Sequence, residues 1–202
     1  MYPEQVLEEC ILKGIDRVAI TDHNAIEGAL EASALDPDRV IIGEEIMTTA
    51  GELLGYYMKA FVPPDLTPLE TISRLREQGA FISVAHPFDY TRRGAWKRDA
   101  LFEILRLVDA IEVFNARTWS SAANQFAADV ASSEGILGTA GSDAHAACEI
   151  GRAVMTTPIF DDPDSMRLAL SSAQIQARRS SPLVHLLSRY ATFRKILGWK
   201  PK

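Results

Sequence analysis

The feature that most constrains this chain is an alternation of short apolar runs with helix-period segments, in which the runs end on polar groups. Three of the four histidines end such runs, in Ala19-Ile20-Thr21-Asp22-His23-Asn24, Ser83-Val84-Ala85-His86-Pro87 and Ala140-Gly141-Ser142-Asp143-Ala144-His145. A short apolar run between turn signals reads as a buried strand, and apolar residues at three- and four-residue spacing read as one face of a helix. On that basis helices are expected over 4–13, 25–34, 68–78, 98–108, 122–133, 163–172 and 182–197. Asn24 is expected to cap the second with Glu27 as its capping-box partner, and Thr67 to cap the third. Strands are expected over 17–21, 40–46, 81–85, 110–114, 136–140 and 153–156, with 52–57 as the hairpin partner of 40–46.

Repeated strand-then-helix order with continuous apolar strands predicts an α/β fold whose largely parallel strands are covered by helices. An open doubly wound sheet and a closed barrel both satisfy that order. The polar residues favour the barrel, because His23, Glu45, His86, Asn115, Asp143 and His145 come from five different strands, all near their carboxyl ends. Residues from that many strands converge most readily at a barrel mouth.

With 202 residues, 47% of them hydrophobic, the chain can bury one substantial core. One barrel domain is expected over 1–180, followed over 181–202 by an amphipathic basic helix packed on it. That helix carries His185, which has no carboxylate near it in sequence and reads as a partly buried surface residue. The net charge of -6 argues against a broad nucleic-acid surface, which would need clustered Lys and Arg. Only Cys10 and Cys148 are present, so no disulfide framework is expected and a cytoplasmic setting is the default. No apolar run has the length of a membrane span.

Imidazole and carboxylate at strand ends are the donor types that hold divalent metals, and a bound ion can make hydroxide from water near neutral pH. Asp143 and His145 are two residues apart and so point to the same side of an extended strand end. His86 precedes Pro87, which predicts an extended backbone there. With cysteine outside the donor set, Mn²⁺, Zn²⁺ or Fe²⁺ is favoured over a thiolate-selected metal.

Five motifs in order, Ile20-Thr21-Asp22-His23-Asn24, Gly43-Glu44-Glu45-Ile46, Ala85-His86-Pro87-Phe88-Asp89, Ile111-Glu112-Val113-Phe114-Asn115 and Gly141-Ser142-Asp143-Ala144-His145, resemble those of the PHP (polymerase and histidinol phosphatase) family. The resemblance implies a distorted seven-stranded TIM-like barrel with up to three divalent metals. It implies His23, Glu45, His86, Asp143 and His145 as metal ligands, Asn115 as a variable ligand, and His23, His86, Asp143 and His145 as the catalytic groups. Glu45 rather than Glu44 fits the family pattern, and strand alternation places Glu44 on the opposite face.

In that family a His-any-His pair on an initial strand precedes the helix that begins here near Pro3. The resemblance therefore implies fewer ions and a barrel lacking its first strand in this chain, Met1 being read as internal to a longer protein or as the start of a shortened one. Arg92, Arg93 and Arg117 follow candidate ligand strands and are expected to contact substrate phosphate. The resemblance points to a metal-dependent phosphoesterase acting on a nucleotide, a small phosphorylated metabolite or a short single-stranded nucleic acid. Metal-dependent amide hydrolysis and a non-catalytic metal- or partner-binding domain are the alternatives.

Overall fold

The computed structural model describes residues 1–181, so the expected closing helix and His185 lie outside the described residues. The helices are α1 (Pro3–Leu12), α2 (Glu27–Leu35), α3 (Pro68–Glu77), α4 (Arg98–Ile104), α5 (Ser121–Glu134) and α6 (Pro163–Leu170). The strands are β1 (Val18–Ile20), β2 (Val40–Met47), β3 (Glu52–Tyr56), β4 (Phe81–Val84), β5 (Ala110–Asn115), β6 (Leu137–Gly141), β7 (Ala153–Thr156) and β8 (Gln174–Ala177).

Most elements begin and end where local chemistry dictates. Thr67 and Glu70 form a reciprocal capping box at α3, with Pro68 in the first turn. Asp162 caps α6, and α5 runs from Ser120 as its cap to Gly135 in the left-handed conformation at φ 67°. Helix α2 departs from expectation. Asn24 does not cap it; its Oδ1 accepts the Met47 backbone N–H at 2.9 Å, tying the turn after β1 to β2. The helix starts two residues later than expected, with the Glu27 carboxylate accepting from the Ile26 N–H.

Strands β1 to β6 form one sheet in sequence order. β1 pairs with β2 in parallel, and β4, β5 and β6 run parallel to one another, but β3 lies antiparallel to both β2 and β4. The sheet curls into a half-barrel, while β7 and β8 form a separate antiparallel ribbon. In place of the expected TIM-like barrel lacking its first strand, the described residues form an open half-barrel of six strands, with β1 and β6 at its edges. β8 has no counterpart in the sequence reading, because Gln174-Ile175-Gln176-Ala177 is exposed throughout and carries no buried apolar run.

The two faces of the sheet have different jobs. Ile46, Leu53, Ile82, Val84 and Ile111 point outward and pack with Ile72, Leu75, Leu101, Ile104 and Val130 from the covering helices. Leu54, Tyr56, Phe81 and Ala110 point inward, where Met166 and Leu170 of α6 seal the lower part of the concave face. Above that seal the inward positions turn polar.

Asp109, in the turn before β5, joins three elements. Its carboxylate accepts from the Ile82 N–H at 2.8 Å, from Arg76 of α3 at 2.7 Å and from Arg167 of α6 at 2.9 Å. Burial alone would raise the carboxyl's pKa, but the two guanidinium groups and the amide outweigh it and hold it below the usual 3.8. Asp109→Ala should therefore lower unfolding free energy by about 3 kcal/mol in urea titrations at pH 7. Because the folded-state pKa is depressed, that difference should shrink as the pH falls below about 4 and the wild-type carboxylate takes up its proton. An unchanged denaturation midpoint at pH 7 would show that the junction is not stabilising.

Candidate functional site

The polar half of the concave face is assembled by strand register. Beyond β1 the chain stays beside β2, since the Asn24 N–H bonds the Glu45 carbonyl and the Glu45 N–H bonds the Asp22 carbonyl. His23 is thereby clamped next to Glu45. In the β2–β3 hairpin Glu45 faces Leu54 and Met47 faces Glu52, so two-residue alternation puts Glu45 and Glu52 on the same inner face. A bulge at Val113 breaks the register between β5 and β6 and turns Asn115 to the side of Glu112.

His86 has φ 26°, in the left-handed region, rather than the extended backbone that Pro87 predicts. Its contacts supply the reason. The His86 N–H donates to the buried Glu112 carboxylate at 2.8 Å, and Nε2 lies 3.1 Å from both Glu45 and Glu52. His23 Nδ1 approaches the same two carboxylates, at 3.5 Å from Glu45 and 3.4 Å from Glu52. Two imidazoles and two carboxylates from β1, β2, β3 and β4 therefore meet at one point.

The electrostatics of that cluster are those of a cation site. Glu52 raises the His23 pKa to about 9 against the opposing effect of burial, with Glu45 assisting. Burial works against charge on His86 too, yet Glu45 and Glu52 push its pKa up to about 10. Burial disfavours the ionised form of Glu52, but the two histidines outweigh it and bring its carboxyl down to about 2. Two buried carboxylates are thus neutralised by two imidazolium groups. A divalent ion exchanged for the two protons would leave the net charge of the cluster unchanged, and an N₂O₂ donor set without thiolate suits Mn²⁺, Zn²⁺ or Fe²⁺. His23, Glu45 and Glu52 also have ligand atoms all within 4.8 Å of one another.

A second group adjoins the first. Asp143, held at φ 49°, has its Oδ2 2.6 Å from Arg92 Nη2 and 3.3 Å from Asn115 Nδ2. The Asn115 Oδ1 accepts from Arg92 at 3.0 Å and from the Arg117 N–H at 2.9 Å. His145 donates Nδ1–H to the Asp143 carbonyl at 3.0 Å, and its ring centroid is 6.1 Å from that of His23. Arg92 holds the Asp143 carboxyl below its usual range although burial opposes ionisation. A cavity of about 1360 Å³ opens over both groups and is lined by His23, Glu45, Glu112, Asn115, Asp143 and His145.

Residues 121–175 match a family model described as PHP-associated. The uncharacterized protein MJ1587 of Methanocaldococcus jannaschii is 39% identical over 117 residues, which cover 56% of this chain and 66% of that protein. MJ0417 of the same organism, also uncharacterized, is 37% identical over 157 residues, covering 76% of this chain and 62% of that protein. The chain thus spans less than two thirds of the length of either curated relative. Among solved structures, a Bifidobacterium adolescentis protein provisionally named a metal-dependent phosphoesterase superposes with a TM-score of 0.61 at 16% identity, covering 90% of this chain and 92% of its own. PsfC from Pseudomonas syringae superposes with a TM-score of 0.62 at 17% identity, covering 96% and 89%. Residues 121–175 are thus similar to a PHP-associated segment, and the chain shares its fold with these two solved structures.

The expected site residues fall into three groups. His23, Glu45 and His86 come together, joined by Glu52, which the sequence reading missed. Asp143 and Asn115 stand beside them but meet Arg92, and His145 is tied to the Asp143 carbonyl. Arg93 is exposed, and Arg117 does not line the cavity: its side chain is 6% exposed and its Nη1 lies 3.0 Å from the buried Glu149. Asp89 accepts from Thr91 and from Arg92 Nε, so it fixes the loop that follows His86. Glu112 supports His86 through its backbone N–H rather than its ring. Glu44 points to the outer face, where its Oε2 accepts the Val62 N–H.

Glu44 and Glu52 make a paired test of this geometry. Glu52→Ala should weaken Mn²⁺ or Zn²⁺ binding by about tenfold or more in calorimetric titrations, whereas Glu44→Gln should leave affinity unchanged. Equal affinity in the two variants would remove Glu52 from the donor set.

Proposed function

We propose that this protein is a metal-dependent phosphoesterase, acting on a phosphate ester of a nucleotide, a small metabolite or a short single-stranded nucleic acid. The observation that carries this reading is the His23, Glu45, Glu52 and His86 cluster standing next to the Arg92–Asp143 pair, at a cavity that His23, Glu45 and Asp143 line. A phosphate ester carries negative charge that grows on its oxygens as the ester bond breaks, and it is best met by fixed positive charge from two sides. An amide carbonyl has no ground-state charge for Arg92 to meet, which ranks amide hydrolysis below ester hydrolysis. In this reading the curled sheet is an open form of the family's distorted barrel.

His23, Glu45, Glu52 and His86 would hold the divalent ion. When bound it supplies Lewis acidity toward a phosphoryl oxygen and acidifies water. Arg92 stabilises the equatorial phosphoryl oxygens from the Asp143 side. Because the Asp143 carbonyl can only accept, His145 must carry its proton on Nδ1 when neutral, leaving Nε2 to exchange a proton with the departing oxygen. Glu112 and Asn115 keep His86 and Asp143 in register. No described helix is long and apolar enough to cross a membrane. The unpaired Cys10 and Cys148 fit a reducing, cytoplasmic setting.

The test is a substrate panel with Mn²⁺, Zn²⁺ or Fe²⁺ added, containing mononucleotides, bis(p-nitrophenyl) phosphate, short oligonucleotides and p-nitroanilide amides. Phosphate-ester hydrolysis should appear with metal, vanish with chelator and return on reloading. His145→Ala should lower kcat by about 10² to 10⁴. Turnover confined to the amides would overturn the assignment.

A further inference from the structure

We propose that Arg92 is a resident cation of this site, occupying the place at Asp143 and Asn115 that a second metal ion would take, so that the domain holds a single ion. The inference rests on the metal-binding reading given above and concerns what stands beside that ion. Asp143, Asn115 and His145 offer a carboxylate, an amide oxygen and an imidazole at one mouth, which is a donor set for a second divalent cation. In the structure two of those donors already face positive charge, because Arg92 Nη2 lies 2.6 Å from Asp143 Oδ2 and 3.0 Å from Asn115 Oδ1.

Asn115 is oriented for an arginine rather than a metal. The Arg117 backbone N–H, 2.9 Å away, requires an acceptor and so fixes Oδ1 on that side. Nδ2 is then directed to Glu112 at 3.0 Å and to Asp143 Oδ2 at 3.3 Å. An N–H aimed at Asp143 Oδ2 competes with a metal ion for that oxygen and is compatible with a guanidinium on its other side.

The loop that carries Arg92 is built to keep it there. Asp89 accepts from Arg92 Nε at 3.2 Å, gripping the near end of the guanidinium while Asp143 grips the far end. Farther along the loop, the Trp96 indole donates to the Glu52 carbonyl at 3.0 Å. Gly94 lies so close to the Glu52 carboxylate that a Cβ there would overlap it. The loop is therefore fastened to the strand that supplies Glu52, and Arg92 enters the site from a fixed base. A guanidinium cannot be removed by chelator and stays charged at every accessible pH.

The experiment counts ions by plasma mass spectrometry after loading with excess Mn²⁺ and desalting, and reads Mn²⁺ electron paramagnetic resonance for spin coupling. Wild type should retain one ion per chain with an uncoupled spectrum. Arg92→Ala should rise to two ions with the signature of a coupled pair, and Arg92→Lys, which keeps the charge, should stay at one. Asp143→Asn should also keep one ion, since Asp143 holds the arginine and not the metal. Two coupled ions in wild type, one ion in a folded Arg92→Ala, or loss of the ion in Asp143→Asn would each overturn the proposal. A wild type that retains no Mn²⁺ would overturn the metal-binding reading itself.

Discussion

The approach of two buried carboxylates, Glu45 and Glu52, across the β2–β3 hairpin is the interaction on which the rest of the site depends. Both are nearly sealed from water on the inner face of the sheet, and two negative charges in a shielded setting are costly unless cations meet them. That requirement explains why His23 and His86 arrive from either side and why their pKa values are driven upward. It also explains why the half-barrel tolerates so polar an upper face. The same sheet is closed below by Met166 and Leu170 against Phe81 and Tyr56, so the polar groups occupy only the end where the chain reverses or leaves a strand.

The two halves of the site are joined through Glu112. Its Oε2 accepts from both the His86 N–H and Asn115 Nδ2, and burial raises its pKa to about 7. Gly141, paired with Asn115 on the neighbouring strand, leaves the space this carboxylate fills, since a Cβ at that position would overlap Glu112. The donor cluster and the Arg92 group are thus two arms on one buried carboxylate. A shift of either would be transmitted through hydrogen bonds rather than through loose loop packing.

Much of this arrangement was legible in sequence. His23 and His86 end apolar runs and Glu45 lies near the carboxyl end of β2, and strand ends in a curled sheet converge, so pattern brings these three together. Glu52 escaped because it begins a strand. The rule that sites gather at carboxyl ends holds for parallel strands, and β3 is antiparallel, so its amino end is the one that lies at the mouth. The signal was present in the hairpin itself, where two-residue alternation links Glu45 to Glu52 across the turn. The backbone of His86 departs from expectation for a different reason, since a local preference set by Pro87 is overridden by three tertiary contacts. Asn24 likewise had a capping signature, but strand pairing at Met47 claimed its side chain.

Arg117 shows how little a residue's type reveals about its task. It follows Asn115 in sequence as a phosphate-binding arginine would, yet its guanidinium meets Glu149 in the interior. Glu149 in turn accepts the backbone N–H groups of His145 at 3.0 Å and Ala146 at 3.1 Å, and so holds the turn that carries His145. Arg117 therefore acts on the site through the shape of that turn. Arg92 and Arg117 differ in what awaits them: a buried glutamate whose remaining bonds go to backbone in one case, and an aspartate open to the cavity in the other. Which arginine reaches the cavity-lining Asp143 is decided by where the carboxylates are placed, a property of the fold that the arginines' own sequence neighbours do not encode.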